Sequence, residues 1–71
     1  MNPSFRVQVA SFPDRDDLVV EIWWGSERVA ELRREDAGPQ IELYSHQSGW
    51  WDFPYAEFLA VLQRAGEKLE K

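Results

Sequence analysis

The residue types that most often carry out chemistry are scarce in this sequence. There is one histidine, His46, in a polar stretch with Ser45 and Ser48, and there is no cysteine. A serine near a histidine in sequence does not make a nucleophile and its base, because that pair also needs an orienting acid and an oxyanion site. We therefore expect His46 to lie in a surface loop and the protein to be non-enzymatic.

Carboxylates are the most numerous charged groups. The sequence has 13 acidic residues against eight lysines and arginines, which gives a net charge of -5. Residues 14–42 contain nine of the acids and four arginines, so this middle part carries the whole excess. Direct binding to nucleic acid or to an anionic membrane depends on clustered basic residues, so the charge disfavours both. It suits a basic protein partner.

Three absences bear on the compartment. No run approaches the roughly 20 apolar residues that a membrane-spanning helix needs, and the first residues lack the basic and apolar segments of a secretory signal. The lack of cysteine fits a reducing environment. We predict a cytoplasmic protein that forms one small domain over residues 1–71.

Four segments alternate apolar and polar residues with the period of two that is typical of half-buried strands. They are residues 4–11, 17–24, 28–34 and 40–45. Turn-forming residues separate them, among them Pro13, Gly25 and Gly38. The connections are short, which favours antiparallel pairing of consecutive strands.

After the polar stretch 46–49 the apolar period changes from two to about 3.6. The spacing predicts an amphipathic helix whose inner face contains Tyr55, Phe58, Leu59, Leu62, Ala65 and Leu69. The helix is expected to start between Asp52 and Tyr55. Asp52 is a candidate N-cap and Pro54 suits the first turn, whereas the restricted backbone of a residue before proline favours Phe53 as the boundary. Because Gly66 weakens a helix by about 1 kcal/mol relative to alanine, we expect fraying after Arg64.

These elements predict an α+β fold, a four-stranded antiparallel β-meander with one C-terminal α-helix packed on one face (ββββα). Keeping the apolar sides of the strands together also predicts the registers. The expected pairs are Val7 with Ile22, Val20 with Leu32, Ile22 with Ala30, Ala30 with Leu43, and Leu32 with Ile41.

The same registers predict a row of glutamates on the face that the helix leaves uncovered. The row contains Gln8, Glu21, Glu31 and Glu42. Like charges that face each other across strands destabilise a sheet, so we expect a function that uses them. Three interpretations stay open: the row binds a basic protein, it binds a hard divalent cation, or it is solvated surface. We prefer a basic protein to a cation and therefore predict neither metal nor cofactor.

The next predicted row contains Arg6, Trp23, Val29 and Tyr44, so an apolar patch would lie beside the glutamates. Tryptophan, tyrosine and arginine are enriched at the energetic centres of protein interfaces. Of the adjacent Trp50 and Trp51, one ring should pack on the core and the other stay at the surface. The predicted partner-binding residues are Glu21, Glu31, Glu42, Trp23, Tyr44 and Trp51.

The sequence thus predicts a small acidic protein-binding module. The preferred interpretation is an inhibitor or neutraliser of a basic, nucleic-acid-processing protein that acts by occupying its surface. Antitoxins, immunity proteins and phage inhibitors of defence nucleases work in this way. The alternative is a homodimeric structural or adaptor module, associating through the patch of Trp23, Val29 and Tyr44 or by pairing edge strands.

Overall fold

The computed structural model describes residues 4–11 and 18–70, and it shows a sheet of four strands followed by one helix. The elements are β1 (Phe5–Ser11), β2 (Leu18–Trp24), β3 (Glu27–Glu35), β4 (Gly38–Leu43) and α1 (Tyr55–Leu69). Consecutive strands pair antiparallel in the order β1-β2-β3-β4, and α1 packs on one face of the sheet. The predicted α+β fold is confirmed.

The predicted strand bounds hold within about a residue, except for β4. A turn at Asp36 and Ala37 is enough to connect β3 to β4, so β4 begins at Gly38, with φ 121. Pro39 fits this strand because it lies at the edge of the sheet, where its missing N–H is not needed. The predicted turn that contains Pro13 lies outside the described residues.

All five predicted register pairs are present. They bring the apolar side chains of the strands to the helix side of the sheet, where α1 covers them. The core consists of Val20, Ile22, Val29, Ala30, Leu32, Val61, Ala65 and Leu69. Alternation along the strands therefore predicted most of the core residues that the sheet contributes.

The row predicted to contain Val29 differs in the structure. The pairing of β2 with β3 shifts between Ile22 and Trp23, so Trp23 lies opposite Arg28 instead of Val29. Val29 is 1% exposed and belongs to the core. A β-bulge adds one residue to one strand and re-aims the neighbouring side chains, which breaks the period of two. The predicted place of Val29 in a patch with Trp23 and Tyr44 is therefore wrong.

The start of α1 also differs from the prediction at its cap. Pro54 occupies the N-cap position and no side chain caps the helix, so the assignment of Asp52 as N-cap is wrong. Pro54 has φ -58 and ψ 127, an extended conformation, and Phe53 is restricted because it precedes a proline. The helical backbone begins at Tyr55, so Pro54 precedes the first turn instead of belonging to it.

The helix does not end early. It continues past Arg64 to Leu69, and both Ala65 and Leu69 are buried against the sheet. The Nη2 of Arg34 also donates a hydrogen bond to the carbonyl of Leu69 at 2.8 Å. These contacts outweigh the low helix propensity of Gly66, so the expected fraying is wrong. No helix in the described ranges is long and apolar enough to span a membrane.

The helix lies toward one side of the sheet, over β1, β2 and β3, and leaves β4 uncovered. Tyr55 and Leu59, which were expected to face the core, are exposed, and Val61 is buried in their place. On β4, the helix-side residues Ile41 and Leu43 are exposed for the same reason. The apolar period identified the helix but could not give its lateral position on the sheet.

Candidate protein-binding surface

The aromatic residues before α1 close one end of the core. Trp51 stacks on Phe53 with ring centroids 5.3 Å apart, and its Nε1–H donates to the carbonyl of Tyr44 at 2.7 Å. The ring centroid of Phe53 in turn lies 4.9 Å from that of Phe5. Trp50 is 69% exposed. The predicted division into an inner and an outer ring is confirmed, and Trp51 is the inner one.

The glutamates occupy the predicted positions on the sheet face opposite α1. Gln8 lies opposite Glu21, Glu21 opposite Glu31, and Glu31 opposite Glu42. We call Glu21, Glu31 and Glu42 the glutamate row. Within the described part of the chain, no helix or strand packs on this face.

Arginines and aromatic side chains compensate the charges of the glutamate row. Arg28 binds Glu21 at 3.0 Å. Arg33 binds Glu42 at 2.7 Å and Glu31 at 3.2 Å. The side chains of Glu21 and Glu31 are only 14% and 18% exposed, because their partners cover them. The row is a hydrogen-bonded network, and Glu42 is its most accessible carboxylate.

Aromatic hydrogen bonds complete the network. The indole Nε1–H of Trp23 donates to Glu21 at 3.2 Å, and the hydroxyl of Tyr44 donates to Glu31 at 3.3 Å. Burial, followed by the charge of Glu31, raises the pKa of the Tyr44 phenol. The hydrogen bond from Arg33 to Glu42, followed by the one to Glu31, raises the pKa of the Arg33 guanidinium.

A second row runs beside the glutamates, with arginines and aromatic rings in alternation. The guanidinium of Arg6 lies 5.2 Å from the ring of Trp23. That of Arg28 lies 6.0 Å from the Trp23 ring and 4.6 Å from the Tyr44 ring. Such cation–π contacts at exposed sites contribute about 0.5–1 kcal/mol each. We call these four residues the arginine–aromatic row, and the two rows together the binding face.

The binding face carries a small acidic excess. Its two rows contain three glutamates and two arginines, and the pair of Arg33 with Glu35, which lies beside Glu31 and Glu42, adds no net charge. Most of the net charge of -5 is therefore carried by other residues. Among the described residues, no group of three or more histidines, cysteines, aspartates or glutamates could hold a metal ion.

The structure brings Ser48, His46 and Glu27 into one hydrogen-bonded line, which was not predicted from the sequence. The Nδ1 of His46 lies 2.7 Å from the Ser48 hydroxyl, and its Nε2 lies 3.1 Å from Glu27. The Ser48 hydroxyl also lies 3.2 Å from the carbonyl of Trp50, and its backbone N–H donates to Nδ1 at 3.1 Å. We interpret this line as the contact that fixes residues 46–50 against the β2–β3 turn. Glu27 is distant from both residues in sequence, so the sequence indicated only that His46 and Ser48 lie near each other.

An apolar groove lies on the helix side, between β4 and the start of α1, with a volume of about 320 Å3. It is lined by Val29, Leu43, Trp51, Phe53, Tyr55 and Phe58. The groove exists because α1 does not cover β4. Sequence periodicity gave no signal for it, since Leu43 and Tyr55 were both expected in the core.

Five of the six predicted partner-binding residues thus come together on the binding face, and Trp51 lies apart from them in the groove. No protein-family model, curated protein or solved structure matches this chain. The binding face and the groove are therefore the features of this chain that bear on its function.

Proposed function

We propose that the chain is a non-enzymatic protein-binding module that acts by occupying a partner's surface through the binding face. The arginine–aromatic row is the observation that carries this proposal. Its residue types, Trp, Tyr and Arg, are the ones most enriched at interface hot spots. Hydrogen bonds to Glu21 and Glu31 hold the row in place, and a surface ordered in this way loses less side-chain entropy on binding.

The charge of the chain supports a basic partner. The net charge of -5 raises the encounter rate with a positively charged protein, even though the binding face itself carries only a small part of that charge. We therefore propose an inhibitor or neutraliser of a basic, nucleic-acid-processing protein in the cytoplasm, as an antitoxin, an immunity protein or a phage inhibitor of a defence nuclease would be. Direct binding to nucleic acid, a membrane, a metal or a cofactor forms no part of the proposal.

The test is the recovery of partners by the tagged protein and by two variants with comparable loss of aromatic area. Trp23→Ala removes the centre of the arginine–aromatic row, whereas Trp50→Ala removes an exposed ring that belongs to neither row and does not line the apolar groove. We expect a basic protein in stoichiometric amount with the unmodified chain and with Trp50→Ala. Its loss with Trp23→Ala is the expected result, and equal recovery by both variants would contradict the proposal.

Sedimentation of the isolated protein over a range of concentrations tests the alternative. The proposal predicts a monomer whose binding face is free for a partner. A dimer that dissociates when Trp23 is changed to alanine would replace this proposal with a homodimeric adaptor.

A further inference from the structure

The edge strand β4 presents unpaired backbone groups. Within residues 4–11 and 18–70, no strand lies beyond it. The N–H of Tyr44 donates to the carbonyl of Val29 at 2.9 Å. Hydrogen-bonded and non-bonded pairs alternate along antiparallel strands, so the next bonded residue is Glu42. Ile41 and Leu43 therefore turn both their N–H and their C=O away from β3.

This edge has little of the usual protection against pairing. Natural proteins protect exposed edges with lysines, prolines, bulges or a covering element. β4 has Pro39, but it has no lysine, it pairs with β3 without a bulge, and α1 does not cover it. Ile41 is 46% exposed and Leu43 63% exposed on the helix side. The stretch 41–43 is thus open both at its backbone and at its apolar side chains.

The apolar groove continues this open edge. Leu43 belongs to both, and Tyr55, which is 79% exposed, forms the opposite wall. A strand added to β4 would lie about 4.8 Å from it. Those of its side chains that point to the helix side would pack against Leu43 and Tyr55. The groove therefore fits an extended segment with apolar residues at every second position.

The other face of the same edge favours a positive charge. Arg33 is shared by Glu31, Glu35 and Glu42, so one guanidinium for three carboxylates leaves a formal charge of -2. Glu42, whose side chain is 52% exposed, is nearest to the edge. The residue opposite Glu42 in an added strand points to the same face as Glu42, within reach of its carboxylate.

The same charge argues against a second copy of this chain as the occupant. Pairing β4 with itself so that Ile41 faces Leu43 of the other copy brings the two Glu42 side chains directly opposite each other. Like charges in that position destabilise the pair. Each copy also carries a net charge of -5.

We propose that β4 binds an extended segment of a partner protein by strand addition. The segment has apolar residues at alternate positions, which enter the groove, and a lysine or arginine between them, which pairs with Glu42. This inference rests on the proposed function, since it gives the module a second contact at the edge of the sheet, beside the binding face.

The probe is a capped synthetic peptide of about six residues, a usual strand length, in which valine alternates with lysine. Calorimetric titration should show one peptide bound per chain. Two control peptides separate the contacts: one carries N-methyl groups on the amides that would bond to β4, and the other has glutamate in place of lysine. We expect each to bind at least about tenfold more weakly. Absence of binding by the lysine peptide, or equal binding by the N-methylated one, would overturn the proposal.

Variants of the protein locate the contact. Leu43→Lys should weaken binding of the lysine peptide about tenfold or more, whereas Gln63→Lys, which adds the same charge on the exposed helix surface, should not. Because Leu43 is exposed, its replacement leaves the core intact, which circular dichroism can verify. Equal binding by both variants would contradict strand addition at β4.

Glu42→Gln distinguishes the two occupants. It should weaken binding of the lysine peptide about threefold and reduce its salt dependence. If Glu42→Gln instead forms a dimer that Leu43→Lys dissociates, a second copy is the occupant and the proposal is wrong. If the lysine peptide does not bind while Trp23→Ala still abolishes partner recovery, strand addition fails and the proposed function stands.

Discussion

Replacing Gly66 with alanine should stabilise this protein. Gly66 lies in the last turns of α1, its φ is not positive, and a Cβ built on it meets no atom within 4 Å. Alanine therefore fits without strain and without displacing a neighbour. In the interior of a helix, glycine is about 0.8–1.0 kcal/mol less favourable than alanine.

The expected gain is about 0.5–1 kcal/mol in the free energy of unfolding, since part of the effect comes from the reduced freedom of the unfolded chain. For a domain of this size, 1 kcal/mol corresponds to a rise in Tm of about 4–8 °C. Urea and thermal unfolding followed by circular dichroism measure both quantities. The urea m-value should not change, because the same surface is exposed on unfolding.

Gly38→Ala is the matched control. A Cβ on Gly38 also meets no atom within 4 Å, but its φ is 121, which side chains rarely adopt. Both sites have space for a Cβ, but only Gly38 has a positive φ, so Gly38→Ala should destabilise the protein by about 1 kcal/mol or more. A gain at Gly38, or no gain at Gly66, would refute the reasoning. No gain at Gly66 is what a helix frayed after Arg64 would give.

Three further predictions follow from the packing and the binding face. Leu69→Ala should cost about 2–5 kcal/mol of stability in urea unfolding because Leu69 is buried, whereas Leu59→Ala should cost less than about 1 kcal/mol; equal costs would mean that the helix is rotated. Trp51→Phe should cost about 1 kcal/mol or more because it removes the hydrogen bond to the Tyr44 carbonyl, and an unchanged unfolding midpoint would contradict that bond. The pKa of Tyr44 is raised above 10.0, so the folded state holds this proton more tightly than the unfolded chain does. The contribution of Tyr44 to the free energy of unfolding is complete below pH 10.0 and decreases as the pH rises through the pKa of Tyr44 in the folded state. Tyr44→Phe should therefore remove this part of the loss of stability, which urea unfolding at rising pH measures.

The period of two along the strands was enough to predict the sheet and the glutamate row. Because side chains alternate between faces, burying Val20 and Ile22 forces Glu21 to the opposite face, and the same holds for Glu31 and Glu42. The registers followed from keeping the apolar sides together. This part of the fold depends on local alternation and can be read from sequence.

Other features depend on three-dimensional packing. The bulge between β2 and β3 moves Val29 into the core and Arg28 onto the binding face, and nothing in the alternation of β3 signals it. Arg33 pairs with glutamates on two strands, β3 and β4. These ion pairs can be identified only when the strand registers and the side-chain rotamers are known. The helix period gave the face of α1 but not its lateral position, which decides whether Tyr55 and Leu43 are covered.

Site-specific photo-crosslinking in native cells tests most directly whether a partner binds the sheet face. A photo-reactive residue replaces Gln8, which is exposed beside the glutamate row, or Gln63, which is exposed on the helix. We predict a crosslink to a basic protein from position 8 that is absent from position 63 and is lost when Trp23 is also changed to alanine. Equal crosslinks from both positions, or a crosslink from position 8 only to a second copy of the chain, would contradict the claim.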